Sequence, residues 1–268
     1  MNEIKKTPIY RFTGAGNNFV VLDGRGKDMA SWREVSRVQE LCRQFRTDGL
    51  MILETAEGVD FTMDFYNPDG SGGMMCGNGG RCIVAFADYL GLKPAAADGT
   101  WLFRAPDGLH TAEILSRRDR CWSVRLKMVD VHGVRELMGG YFLNTGTRHF
   151  VKFVDDVDAV DVDAEGRALR HDPAFAPEGT NVNFVEKRGD VLYVRTFEKG
   201  VEGETLACGT GLTASAIAAW YRAGQSGVPG DYRLVCRRGD ELGVRFNARG
   251  NDFTEVYLTG PAELLSVE

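Results

Sequence analysis

Apolar residues recur along the chain in two periodicities, and each periodicity occurs twice. Residues 19–22 (FVVL) and 150–154 (FVKFV) are short extended runs. Residues 60–66 and 191–197 alternate apolar with polar, the period of a strand with one buried face. Each alternating run is followed by a glycine-rich turn and then by small and apolar residues, 81–90 (RCIVAFADYL) and 210–223 (TGLTASAIAAWYRA). Gly91 and Gly224 stand just past these stretches, where a helix stops. A helix that is apolar around most of its circumference has no face to give to water, so strands are expected to enclose both. Ser31 and Glu34 read as a capping box. It would open an outer helix that packs through Trp32, Val35, Val38, Cys42 and Phe45.

The two sets of elements are related by a constant step. Cys76-Gly77-Asn78-Gly79 and Cys208-Gly209-Thr210-Gly211 share the pattern C-G-[N/T]-G, and their cysteines are 132 residues apart. The same step carries Thr13-Gly14 to Thr145-Gly146, Asp23 to Asp155 and Phe65 to Phe197. One offset shared by separated places, and close to half the chain, indicates an internal duplication. We expect an α/β (α+β) protein of two pseudo-symmetric domains, each a barrel-like sheet wrapped around a central helix. The halves are residues 1–130 and 131–268, meeting beside the stretch 132–140, with roughly the last 10 residues able to return to the first half.

Composition narrows the class. Glycine makes up 33 of 268 residues, well above the usual share of roughly 7 %, yet there is no Gly-X-Y period or low-complexity tract, which excludes collagen and a disordered linker. The net charge of −6 argues against a nucleic-acid or anionic-membrane surface. No apolar run approaches the ~20 residues that cross a bilayer. The opening MNEIKKTPIYRF lacks the apolar segment of a signal peptide. A cytoplasmic protein with reduced thiols is expected. None of the six cysteines forms a C-x-x-C pair, and His110, His132, His149 and His171 are scattered, so no structural metal is expected. Cys42, Cys82, Cys121 and Cys236 read as structural.

The repeated cysteines are the candidate chemistry. Each stands where a glycine-rich turn enters a helix, beside unpaired N–H groups and the positive end of the helix dipole. A thiol there can fall from a pKa of ~8.5 into roughly the 3.5–7.5 range, and the N–H groups suit a carboxylate. Two such thiols could invert an α-carbon, one removing a proton as thiolate and the other delivering one as thiol. The N–H donors would stabilise charge developing on the substrate carboxylate. A bland reading remains for each flanking residue. His149 lies in a strand-like run, Glu198 before Lys199-Gly200 could be a solvated turn charge, and Asn67-Pro68-Asp69-Gly70 is a good turn by itself.

Five stretches together resemble the diaminopimelate epimerase family of cofactor-independent amino-acid racemases and epimerases. They are TGAGNNFVVLD from Thr13, YNPDGSGGMMCGNGGRC from Tyr66, TGTRHFV from Thr145, GTNVNF from Gly179 and FEKGVEGETLACGTG from Phe197. The resemblance implies interconversion of LL- and meso-2,6-diaminopimelate for lysine and peptidoglycan synthesis, with neither pyridoxal phosphate nor a metal. It implies catalytic thiols at Cys76 and Cys208, with His149 partnering the first and Glu198 the second. It further implies substrate-binding asparagines at Asn17, Asn67 and Asn181, and α-carboxylate donors at Gly77-Asn78 and Gly209-Thr210. A small amino acid is the expected partner, and a homodimer is compatible with the family. Three departures from the family pattern stand out: Thr147-Arg148 where it often has Asn-Pro, Lys199 where it often has arginine, and Asn18 in place of a frequent aspartate. A lysine at 199 would meet a carboxylate as a point charge instead of a fork. Racemisation of another amino acid, a redox-switched pair of thiols and a non-catalytic amino-acid-binding module are the competing readings.

Overall fold

The computed structural model describes residues 7–73 and 75–268. Residues 1–6, where a targeting signal was sought, and Met74 lie outside the described residues. The chain divides into two compact units, one of residues up to Leu126 together with Gly260–Glu268, the other Lys127–Thr259.

The first unit contains β1 (Tyr10–Gly14), β2 (Asn17–Asp23), α1 (Val35–Phe45), β3 (Gly49–Glu54), β4 (Phe61–Tyr66), α2 (Gly77–Tyr89), β5 (Trp101–Ala105), β6 (Gly108–Arg118) and β7 (Cys121–Lys127, its last residue in the second unit). The second contains β8 (Val131–His132), β9 (Arg135–Leu137), β10 (Gly140–Asn144), β11 (Arg148–Phe153), α3 (Val162–Arg170), β12 (Asn181–Arg188), β13 (Val191–Glu198), β14 (Gly203–Thr205), α4 (Gly209–Arg222), β15 (Gly230–Val235), β16 (Glu241–Arg249) and the start of β17 (Asp252–Val267). The end of β17 belongs to the first unit.

In the first unit the strands close on themselves. β1 pairs with β2, β2 with β3, β3 with β4, β4 with β5, β5 with β6 and β6 with β7; the end of β17 then pairs with both β7 and β1. The pairs β2–β3 and β4–β5 are parallel and the others antiparallel. The second unit repeats this order through β10, β11, β12, β13, β15, β16 and the start of β17, with the parallel pairs at the matching places, β11–β12 and β13–β15. Its eighth position is filled by β8 against β17 and β9 against β10. Each half therefore takes its eighth strand from a segment distant from, or beside, its own seven: residues 260–267 for the first, residues 131–137 for the second.

Each ring encloses one helix. α2 packs against β1, β2, β3 and β6, and its residues from Asn78 to Ala87 are buried. α4 packs against β10, β11, β12, β13, β15 and β16 in the same way. The other helices cover the outside of a sheet. α1 buries Val38, Leu41, Cys42 and Phe45 against Val20, Leu22, Leu50 and Ile52. α3 lies over a cluster built on Phe150, Phe175, Phe184 and Phe197, each contributing about 1.5–3 kcal/mol by leaving water.

Three expectations need correction. Ser31 does not open a helix: Ala30–Trp32 is a 3-10 turn whose first N–H is answered by Asp28 (2.9 Å), and α1 starts at Val35. Glu34 precedes it in extended geometry without a side-chain cap, because the intervening Arg33 is drawn to Asp64 (2.7 Å) and Glu54. Val35 consequently faces outward, 55 % exposed. Cys121 is exposed, since it begins β7 on the outer face and leaves the inner face to Trp122. Both enclosed helices also begin earlier than their apolar runs, at Gly77 and Gly209, because burial outweighs the poor helix propensity of glycine. No described helix is long and apolar enough to cross a membrane.

Removing residues 260–268 leaves β1 paired only with β2 and β7 only with β6, each with one open edge. Hydrogen exchange is expected to show these strands losing their protection while β12 and β13 keep theirs.

Candidate functional site

The start of each enclosed helix is where the chemistry collects. In the first unit Cys76 occupies the cap position of α2 in extended geometry, and its Sγ accepts the N–H of Gly79 at 3.2 Å. The thiol is half-buried. Asn78, in the first turn, donates through Nδ2 to Oδ1 of Asn17 at the start of β2 (2.7 Å). Its own Oδ1 accepts from Arg81 (2.6 Å), a guanidinium with no exposed surface that also reaches the carbonyls of Gly77 (3.2 Å) and Pro261 (3.3 Å). Arg81 was not singled out from the sequence; a charged residue inside an apolar helix is the signal that it must be paired. Nearby, Asn67 shapes its turn. Its N–H and Nδ2 reach the carbonyl (2.9 Å) and hydroxyl (3.0 Å) of Ser71, and Gly70 takes a φ of +85° that favours glycine.

In the second unit Cys208 caps α4, half-buried, with Sγ 3.4 Å from the Thr210 hydroxyl. Thr210 stands 132 residues after Asn78 and His149 stands 132 after Asn17. They meet as their counterparts do, with His149 Nε2 3.0 Å from Thr210 Oγ1. The Thr147 hydroxyl lies 2.9 Å from the same Nε2 and 3.2 Å from Thr210 Oγ1. His149 is fully buried, and burial pushes its pKa down to about 3, so the ring is neutral at physiological pH. Behind it stands Asn183, whose Nδ2 contacts His149 Nδ1 (3.1 Å) and whose Oδ1 accepts from the Thr196 hydroxyl (2.9 Å). Asn183 shares the inward face of β12 with Asn181; the asparagines two apart in NVNF were its visible signal.

Asn181 opens β12, Glu198 closes β13 and Lys199 follows it. Asn181 donates to the carbonyl of Arg148 (2.9 Å) and approaches the Thr147 hydroxyl (3.5 Å), while its Oδ1 accepts the backbone N–H of Lys199 (2.8 Å). Glu198 ends β13, and burial raises its pKa above the usual carboxylate value, partly offset by the Thr205 hydroxyl. The guanidinium of Arg148 is occupied: it pairs with Glu178 and stacks on Phe142 at 5.2 Å. Glu178 is held below its ordinary pKa by its own backbone N–H and by Arg148, with Lys199 adding to the effect. Lys199 itself is exposed.

Within each unit the thiol, the first helical turn and the paired residue on the second strand therefore come together. This combination, a helix start presenting N–H groups beside a thiol, can hold a carboxylate and move a proton at the carbon next to it. Two such half-sites on duplicated barrels define a class of racemase and epimerase folds. The family model described as diaminopimelate epimerase matches residues 9–127 and 141–265. A diaminopimelate epimerase of Chlorobaculum tepidum is 40 % identical over 259 residues, covering 93 % of this chain and 96 % of that protein. One of Flavobacterium psychrophilum is 38 % identical over 263 residues, covering 96 % and 97 %. Among solved structures, a phenazine biosynthesis protein of the PhzF family from Bacillus anthracis shares the fold with a TM-score of 0.77, at 11 % identity and with 98 % of both chains covered. The chain belongs to the diaminopimelate epimerase family.

A Cβ on Gly211 would lie 2.4 Å from Asn183 Oδ1 and 3.3 Å from Thr196 Oγ1. Gly211→Ala is therefore expected to destabilise the protein by about 1–3 kcal/mol, read as a lower urea midpoint. Because the folded-state pKa of His149, about 3, lies below the ordinary 6.5, the linked stability is full above pH 6.5 and is lost as the pH falls toward 3. His149→Gln is expected to flatten that part of the stability profile, measured by urea unfolding between about pH 4 and 7.

Proposed function

We propose that the protein interconverts LL- and meso-2,6-diaminopimelate by a two-thiol proton transfer that uses no cofactor. The observation that carries this reading is the thiol at the cap of each enclosed helix, Cys76 on α2 and Cys208 on α4, in a chain of this family. Inversion at an α-carbon needs a base on one face and an acid on the other. One sulfur, as thiolate, takes the α-proton; the electron pair left on carbon spreads into the carboxylate. The backbone N–H groups at Gly77-Asn78 and Gly209-Thr210 stabilise that charge. The other sulfur, as thiol, gives its proton to the opposite face, and the two sulfurs end with exchanged protonation states. Repetition in the reverse direction restores them. A cytoplasmic setting, where thiols stay reduced, suits this chemistry.

Asn17, Asn67 and Asn181 supply substrate contacts in this reading, with Glu198 beside the second thiol. At the far end of the substrate, Lys199 takes the carboxylate as a point charge, because Arg148 is engaged by Glu178. The departures at Thr147 and Lys199 also favour a second reading, racemisation of a related amino acid on the same machinery. The two are separated by incubating reduced protein with candidate amino acids in D₂O and following deuterium at the α-carbon. Exchange into diaminopimelate alone is expected; exchange into another acid alone transfers the assignment, and no exchange into any acid refutes catalysis. Cys76→Ala and Cys208→Ala are each expected to lower turnover by at least about 10³-fold with the fold intact, and full activity in either variant would refute the two-thiol mechanism.

A further inference from the structure

Asn183 has no part in the chemistry proposed above, yet it fixes the direction of a hydrogen-bond chain that ends at the second thiol. Its amide can be oriented in one way. Nδ2 lies 3.1 Å from the carbonyl oxygen of Phe150, which takes a donor and repels an acceptor, while Oδ1 lies 2.9 Å from the Thr196 hydroxyl. Turning the amide over would bring Oδ1 against the Phe150 carbonyl in a fully buried site. The second hydrogen on Nδ2 therefore points at Nδ1 of His149, 3.1 Å away. An N–H donor there requires Nδ1 to be the bare, accepting nitrogen. In a neutral ring the proton is then on Nε2.

From Nε2 the chain continues outward. Nε2–H donates to the hydroxyls of Thr147 (2.9 Å) and Thr210 (3.0 Å), which are 3.2 Å from each other. A hydroxyl that accepts still has its own proton to pass on, and Thr210 Oγ1 lies 3.4 Å from Cys208 Sγ. We propose that Asn183 is a positioning residue for Cys208: it holds His149 as the Nε2–H tautomer, so that each hydrogen bond from Asn183 through His149 and Thr210 is donated toward the sulfur. Two consequences follow. His149 acts as a hydrogen-bond donor toward Thr210 and does not take a proton from Cys208. The thiolate form of Cys208 receives a donated hydrogen bond from the protein itself. Gly211 belongs to the device as well, since a side chain there would displace the Asn183 oxygen, 2.4 Å from its Cβ.

The proposal rests on the function reading only for the use made of Cys208; the tautomer stands or falls separately. The chain has four histidines, so a ¹⁵N-histidine-labelled sample gives a readable ring spectrum, with His149→Gln assigning the resonance. In the wild type a neutral ring protonated on Nε2 is expected at pH 7. A proton on Nδ1, or on both nitrogens, overturns the proposal. Asn183→Asp places an acceptor opposite Nδ1 and is expected to move the proton there. In a Cys76→Ala background, iodoacetamide labelling of the Cys208 peptide at pH 7 is expected to slow about tenfold in Asn183→Asp, as for loss of a hydrogen bond to a charged group. Thr210→Val, which removes the last hydroxyl and leaves the ring untouched, is expected to slow it similarly. Unchanged labelling in Thr210→Val overturns the link to the sulfur. These readouts need no turnover, so they remain decisive even if α-deuterium exchange is absent.

Discussion

A helix that begins inside a closed sheet brings a polar problem with it. The N–H groups of its first turn have no partner within the helix and only partial access to water. In the first unit the Cys76 sulfur answers one of them, the N–H of Gly79, whereas no side chain caps the start of α4; the positions around the two starts nevertheless correspond. A thiol stands at the cap, a polar side chain sits two residues later, and a polar residue at the start of the second strand reaches that side chain: Asn17 to Asn78, and His149 to Thr210. The helix starts proposed above to take an α-carboxylate are thus also where the fold gathers polar side chains.

The halves have answered the constraint differently. The first uses a cation: Arg81 bridges Asn78, Gly77 and Pro261, so the helix start is tied to the strand that closes the ring. The second uses a neutral network of hydroxyls, amides and one imidazole, with Thr213 at the position matching Arg81 bonded within its own helix to the Gly209 carbonyl (3.0 Å). A duplicated scaffold thus gives its two thiols unlike surroundings, a backbone N–H for Cys76 and a side-chain hydroxyl for Cys208. Unlike surroundings matter in a reaction whose two ends are different stereoisomers, because the protonation of the two groups need not be evenly matched.

Much of this was legible in the sequence, for definite reasons. The constant step between Cys76 and Cys208 made the repeat visible, and runs of mostly small and apolar residues marked the enclosed helices. Strand alternation at 60–66 and 191–197 matched β4 and β13. What stayed hidden depends on contacts between residues far apart in the chain. The capping box at Ser31 was locally sound, but Asp28 and the pull of Asp64 on Arg33 decided where the helix began. Asn183 looked like one more polar residue beside Asn181, because its role lies in which atoms of Phe150, Thr196 and His149 surround it. The direction of Arg148 depended on Glu178, 30 residues later.

The exchange of the eighth strand also has a bearing on how the molecule comes into being. As the chain leaves the ribosome, the first seven strands of the first ring are made early, but the segment that completes it, residues 260–267, is made near the end. Loop closure over so long a separation is slow. The second ring also closes late, where residues 252–253 meet 131–132, but its strands form one continuous stretch of chain. The first half must therefore persist with two open edges, β1 and β7, throughout synthesis of the second, and open edges invite pairing with other chains. The half made first is the half completed last, which makes elongation speed and chaperone access during that interval determinants of yield.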